Sequence, residues 1–92
     1  MNIIFKGKPL KVVEEMKKEM IYQIKMIKLD DKDFETNEVE NIQHNMNMYL
    51  EVINGIYQDL IIEYIDKDTK IFVAEDSYGE LGYDKIGDED NE

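Results

Sequence analysis

The chain contains no cysteine and no tryptophan, and all 11 of its basic residues are lysine, so arginine is absent too. The lack of cysteine excludes disulfides, thiolate zinc sites and cysteine nucleophiles. The lack of arginine removes the planar fork that grips phosphates and guanine edges, and a net charge of −11 opposes nucleic acid directly. Histidine, serine, proline and alanine occur once each, as His44, Ser77, Pro9 and Ala74. No apolar run approaches the roughly 18 residues that a membrane helix needs. Met1 to Leu10 carries neither a positive flank before an apolar stretch nor a small-residue cleavage site, so the cytoplasm is the expected compartment.

What is present is a chain of 92 residues, 42% hydrophobic and 36% charged, the size of one domain. Its abundant Ile, Lys, Asn, Asp, Glu, Met and Tyr share AT-rich codons, which points to a low-GC bacterium or its phage. Charge is unevenly placed. Residues 1–29 hold seven lysines against Glu14, Glu15 and Glu19, while residues 30–92 hold 19 acids against Lys32, Lys67, Lys70 and Lys85. Such a field repels nucleic acid and anionic membranes and attracts basic surfaces, although acidity also serves solubility alone.

The residue pattern predicts an α+β domain in the order β-α-α-β-β. Asn2–Lys6 reads as a strand ending at Gly7-Lys8, and Pro9 suits the first position of a helix, where its missing N–H costs nothing. Leu10, Val13, Met16, Met20, Ile24 and Ile27 recur at helical spacing and predict a first helix over Pro9–Leu29. Val39, Ile42, Met46, Tyr49, Ile53 and Ile56 form a second stripe, which Thr36 or Asn37 could cap, Asn37 with Glu40 resembling a capping box. Asn54-Gly55 reads either as a C-terminal cap or as a tolerated glycine in a longer helix, so the second helix ends between Ile53 and Asp59. The β-branched runs Leu60–Ile65 and Lys70–Glu75 flank a polar Asp66-Lys67-Asp68-Thr69 and predict a hairpin. The domain is thus expected over residues 1–76. Residues 77–92 are expected to be an acidic, partly disordered tail, in which Tyr78–Ile86 either docks as a last short strand or stays mobile. Two antiparallel helices would pack on a small antiparallel sheet. The alternative is a helical hairpin that dimerises into a four-helix core.

Chemistry-bearing side chains are sparse. His44 shows no orienting partner, and Ser77 lies in an acidic loop without a Gly-x-Ser-x-Gly context. Asp66-x-Asp68-x-Lys70 begins like a calcium loop, but Lys70, Ile71 and Ser77 each break the pattern. Gly79 and Gly82 lack the lysine and helix of a phosphate loop and read as turn residues. No catalytic residue, metal ligand or cofactor is expected. Met26 and Met48 fall beside the core stripes and could form an adaptable face, and several of the six tyrosines could anchor an interface.

The strongest functional signal is carboxylate density. Asp30, Asp31, Asp33, Glu35, Glu38 and Glu40 crowd the link between the helices, and Asp66, Asp68, Glu75 and Asp76 surround the expected hairpin. Carboxylates spaced along a rigid surface can imitate phosphates and occupy a basic groove. In size, acidity, lysine-only basicity and AT-rich composition, the chain resembles in type the small acidic phage proteins that inhibit host DNA-binding or defence proteins, including DNA mimics and anti-CRISPR proteins. The resemblance covers no motif and carries over no residues. It implies a non-enzymatic inhibitor whose partner is a basic, nucleic-acid-binding protein, with no direct contact to nucleic acid or membrane. The second expectation is a homodimer or other homo-oligomeric subunit, held by apolar helix stripes.

Overall fold

The computed structural model describes residues 2–29 and 36–86, with side chains described over 3–26 and 39–86. The elements are β1 (Asn2–Gly7), α1 (Pro9–Leu29), α2 (Thr36–Ile61), β2 (Ile71–Glu75) and β3 (Leu81–Lys85), which is the expected α+β order. Gly7 turns the chain from strand to helix at φ 145°, a backbone conformation that a side chain would oppose. Pro9 then opens α1, and the Val12 amide donates to the Lys8 carbonyl at 2.9 Å. At the other end of the helical pair α2 already includes Thr36, so Asn37 lies inside the helix rather than capping it.

The sheet order is β1-β2-β3, all antiparallel, with β2 in the centre. Phe5 and Tyr83 flank Val73, and Gly7 and Lys85 flank Ile71; an irregularity between Ile3 and Phe5 shifts the β1 register by one residue. Alternation along β2 is clean. Ile71 and Val73 are fully buried, whereas Phe72 and Ala74 face outward and are half-buried. Against the inward face pack Val12, Val13 and Met16 of α1, and Tyr49, Val52, Ile53 and Ile56 of α2. The rings of Phe5 and Tyr49 meet edge to face, 6.0 Å between centroids.

Three expectations are corrected. The first concerns the hairpin. Leu60–Ile65 is not a strand: α2 continues to Ile61, and the chain then closes the helix with Tyr64 N–H donating to the Asp59 carbonyl at 2.9 Å. That six-to-one bond is the Schellman arrangement, and Glu63 occupies its left-handed position at φ 69°. Helical hydrogen bonding here overrides the β preference of the Ile-rich run, a preference that depends on having a partner strand. The partner of β2 is instead β3, so the boundary at residue 76 cuts through the true hairpin, and the domain extends through at least Lys85.

The second correction is the end of α2, which lies at Ile61, beyond the expected Ile53–Asp59; Gly55 is the tolerated glycine inside the longer helix, one of its two readings. A Cβ built there would sit 3.6 Å from the Tyr83 ring, an ordinary contact. The third concerns the stripes. Leu10 and Ile24 are exposed while Val12 is buried, because α1 turns its Val12–Met16 side to the sheet. The helices also outrun their support. At 21 and 26 residues they are about 32 and 39 Å long, whereas a five-residue strand spans about 17 Å. Burial is therefore confined to the first two turns of α1 and to Tyr49–Ile56 of α2, and the molecule extends to 50 × 26 × 19 Å.

Two substitutions test this account of α2. Glu63→Gly relieves the left-handed strain and should stabilise the protein by about 1 kcal/mol. Gly55→Ala should add about 0.5–1 kcal/mol by stiffening the unfolded chain at no steric cost. Urea midpoints at constant m-value measure both, and a destabilised Gly55→Ala variant would mean that Tyr83 sits closer to the helix than described.

Candidate functional site

The ten acids singled out in the sequence do not form one surface. Asp30, Asp31, Asp33 and Glu35 lie outside the described residues, as does the side chain of Glu38. Glu40 is exposed near the start of α2, on the part of the helical pair that projects beyond the sheet. Asp66 and Asp68 sit in the turn before β2, and Glu75 and Asp76 lie at its far end, so the length of a strand, about 17 Å, separates the two pairs.

Each pair is also partly occupied. Asp66 Oδ1 accepts from the Thr69 hydroxyl at 2.8 Å and from the amides of Thr69 and Asp68 at 2.8 and 3.0 Å. These bonds, the Thr69 hydroxyl foremost, hold its carboxyl below the usual carboxylate range. Asp68 faces Lys8 at 3.4 Å, both exposed, and Lys67, Lys70 and Lys85 lie nearby in chain or register. This end of the sheet is mixed in charge. Asp66 is a turn-former first, which its position before Thr69 already signalled.

The opposite end is different. Asp76 Oδ1 accepts from the amides of Tyr78 and Glu80, each at 2.9 Å, and the Asp76 amide donates to the Glu80 carbonyl at 2.8 Å. Gly79 completes the turn at φ 81°. The turn is thereby fixed, and Glu80, exposed, projects from it. From Glu80 the strand alternates through Gly82 to Asp84, so Glu80 and Asp84 share the outward face with the missing side chain of Gly82 between them. Gly82 is paired with Ala74, and Asp84 with Phe72. The result is a shallow groove of about 230 Å³, floored by Ala74 and Gly82 and edged by Asp76, Glu80 and Asp84. No lysine occurs between Ile71 and Asp84. Asp84 is not among the ten acids; its signal is the period-two spacing Glu80-x-Gly82-x-Asp84, which counts only if Tyr78–Ile86 docks as a strand, the outcome observed.

Glu75 belongs to the inner face. It is half-buried and, with Glu19 of α1, lies close enough to Tyr49 to disfavour a phenolate. Gln23 Nε2 donates to Glu19 Oε2 at 3.3 Å, and Gln23 Oε1 is buried with no partner among the described residues. On the inner face of β3, Tyr83 donates its hydroxyl to Asp59, with the Gly55 carbonyl 3.3 Å away, and so ties β3 to α2. His44 and Ser77 are both exposed, and neither makes a side-chain hydrogen bond among the described residues. Among those residues no group of His, Cys, Asp and Glu is arranged to hold a metal ion, and no helix is long and apolar enough to cross a membrane.

Fold and surface together define a two-layer α+β domain with an acidic groove on the solvent face of its sheet. The chain matches no family model, no curated protein and no solved structure.

The environment of Tyr49 has a pH signature. Burial first, then the Glu19 and Glu75 carboxylates, push its hydroxyl above the ordinary value of 10.0. A raised pKa means that the folded state favours the neutral phenol. The associated stability is complete below about pH 10 and is lost as pH rises through the folded value. Unfolding free energies of wild type and Tyr49→Phe should therefore run parallel up to about pH 9 and diverge above pH 10, with the wild type falling faster. Curves parallel throughout would mean that Tyr49 is hydrated.

Proposed function

We propose that this protein is a non-enzymatic binding module, a small acidic inhibitor that acts in the cytoplasm by occupying the basic, nucleic-acid-binding surface of another protein. The observation that carries the reading is the lysine-free acidic groove of Asp76, Glu80 and Asp84 on the outer sheet face. A lysine or arginine of the partner could lay its alkyl stem on Ala74 and Gly82 while its charged end meets the rim. The carboxylates are presented on a sheet and a hydrogen-bonded turn, so little ordering entropy is lost on binding. Glu40, Asp66 and Asp68 do not line the groove and are assigned no role in it.

The test separates position from net charge. One variant neutralises the groove (Asp76→Asn, Glu80→Gln, Asp84→Asn); Asn at 76 keeps the Oδ1 acceptor that the turn needs. A matched variant removes three charges at the opposite end (Glu63→Gln, Asp66→Asn, Asp68→Asn). Tagged proteins are used to capture partners from a low-GC bacterial lysate at low and at high salt. The expected result is a basic nucleic-acid-binding protein, held at low salt, displaced by duplex DNA, and bound about 10- to 100-fold more weakly by the groove variant only. Equal loss with both variants would reduce the effect to net charge, and indifference to duplex DNA would sink the mimicry.

A further inference from the structure

The side of the helical pair turned away from the sheet is apolar, and nothing in the binding reading uses it. On α2, Leu50, Tyr57 and Ile61 recur at spacings of seven and four and so share one face. On α1, Leu10, Ile21 and Ile24 are likewise exposed. The two sets adjoin along the seam between the helices: Lys17 Nζ lies 3.4 Å from the Tyr57 hydroxyl and 5.8 Å from its ring centroid, and Leu10, Val13, Glu14, Lys17 and Tyr57 line one depression. The antiparallel register that sets Lys17 against Tyr57 brings Ile21 and Ile24 alongside Leu50.

These six side chains are between 38% and 77% exposed. At that exposure they leave on the order of 600 Å² of apolar surface along the seam, interrupted by Glu14 and Lys17, the upper end of what a soluble monomer carries. Two such faces brought together would bury about 1,200 Å² from these residues alone, which reaches the range of a standard stable interface before any flanking contact is added. Charge selects the occupant. α2 has no lysine or arginine and exposes Glu40 and Glu51, while α1 exposes Lys11, Lys17, Lys18 and Lys25 against Glu14 and Glu15. A two-fold axis that lays α1 of one copy over α2 of the other therefore pairs unlike charges along both flanks. Outside the described residues, 87–92 contain no apolar side chain, 30–35 contain Phe34 alone, and residue 1 is Met.

We infer that a second copy of this chain covers this face, giving a four-helix homodimer with the two sheets on its outer sides. The inference does not rest on the acidic groove. The geometry differs from a dimer built on the regular stripes, because Val13, Met16, Ile53 and Ile56 are already buried within one copy.

Sedimentation equilibrium of the full chain over micromolar to millimolar concentration reads the mass directly. The expected result is twice the monomer mass of 10.9 kDa, retained at 1 M salt because the contact is mainly apolar. Leu50→Glu and, separately, Ile21→Gln should each weaken dimerisation about 100-fold for the first and 10-fold for the second, since symmetry introduces every change twice. Both should keep the wild-type circular dichroism and melting of the monomer, because these side chains are half outside the core. Tyr78→Ser, at an exposed turn residue off this face, should leave the mass unchanged. A wild type that stays monomeric to 1 mM overturns the inference, whether or not it binds anionic vesicles, and so does a dimer that survives Leu50→Glu and Ile21→Gln unweakened.

Discussion

β2 is five residues long, and the placement of every other element follows from what its two faces can cover. Its inward side chains, Ile71 and Val73, are fully buried between the helices and the flanking strands. They draw Val12, Val13 and Met16 from α1 and Val52, Ile53 and Ile56 from α2 into one cluster. Because β2 spans about 17 Å, the helices find a floor for only half their length. The rest of each helix has only the other helix to pack on. That mismatch explains why equally regular apolar stripes are buried at one end and exposed at the other. It also explains why large hydrophobic side chains remain on the surface of so charged a molecule.

Periodicity made much of the fold legible. Pro9 and the 3-4 spacing located α1, and the element order followed from the alternation of helical and β-branched segments. Failure came where local preference and tertiary context disagreed. Leu60–Ile65 has the composition of a strand, but a strand needs a neighbour. With Asp59 able to close the helix through Tyr64, extending α2 satisfied more backbone groups than extending the sheet could. Leu81–Lys85, with glycine and two charged residues in five, leaves open whether it docks as a short strand or stays mobile. It becomes a strand because Tyr83 reaches Asp59 and packs on the glycine surface of α2, a long-range contact that no window of neighbouring residues reveals.

The candidate site was less legible, for a related reason. Carboxylates close in sequence are not close in function once turns are taken into account. Asp66 and Asp76 look like twin poles of a charge cluster, yet each spends one oxygen on backbone amides, the older and commoner use of aspartate before a reversal. What distinguishes the two turns is their surroundings. The Asp66 turn sits among Lys8, Lys67, Lys70 and Lys85, where its charge is locally balanced. The Asp76 turn leads into a strand with no lysine before residue 85, where Glu80 and Asp84 reinforce it. Local field, rather than the number of acids in a stretch of sequence, selects one turn over the other.

The two layers then present opposite characters to their surroundings. The β3 side of the outer sheet face is acidic over Ala74 and Gly82, with Phe72 and Lys6 beyond it, which suits a charged partner approached through water and sensitive to salt. The outer helix face is apolar with lysine on one helix and carboxylates on the other, which suits a complementary copy of itself. If solubility alone had shaped this surface, acids would be expected where the apolar exposure is greatest, since that is where aggregation threatens. Among the described residues, lysine-free acidity gathers on the sheet hairpin, and the helical seam carries apolar side chains around Glu14, Lys17 and Tyr57. Pairing through the helices would hide the apolar seam and hold two acidic grooves on opposite outer faces. Each would then be free to meet a basic surface without competing for the same side of the molecule.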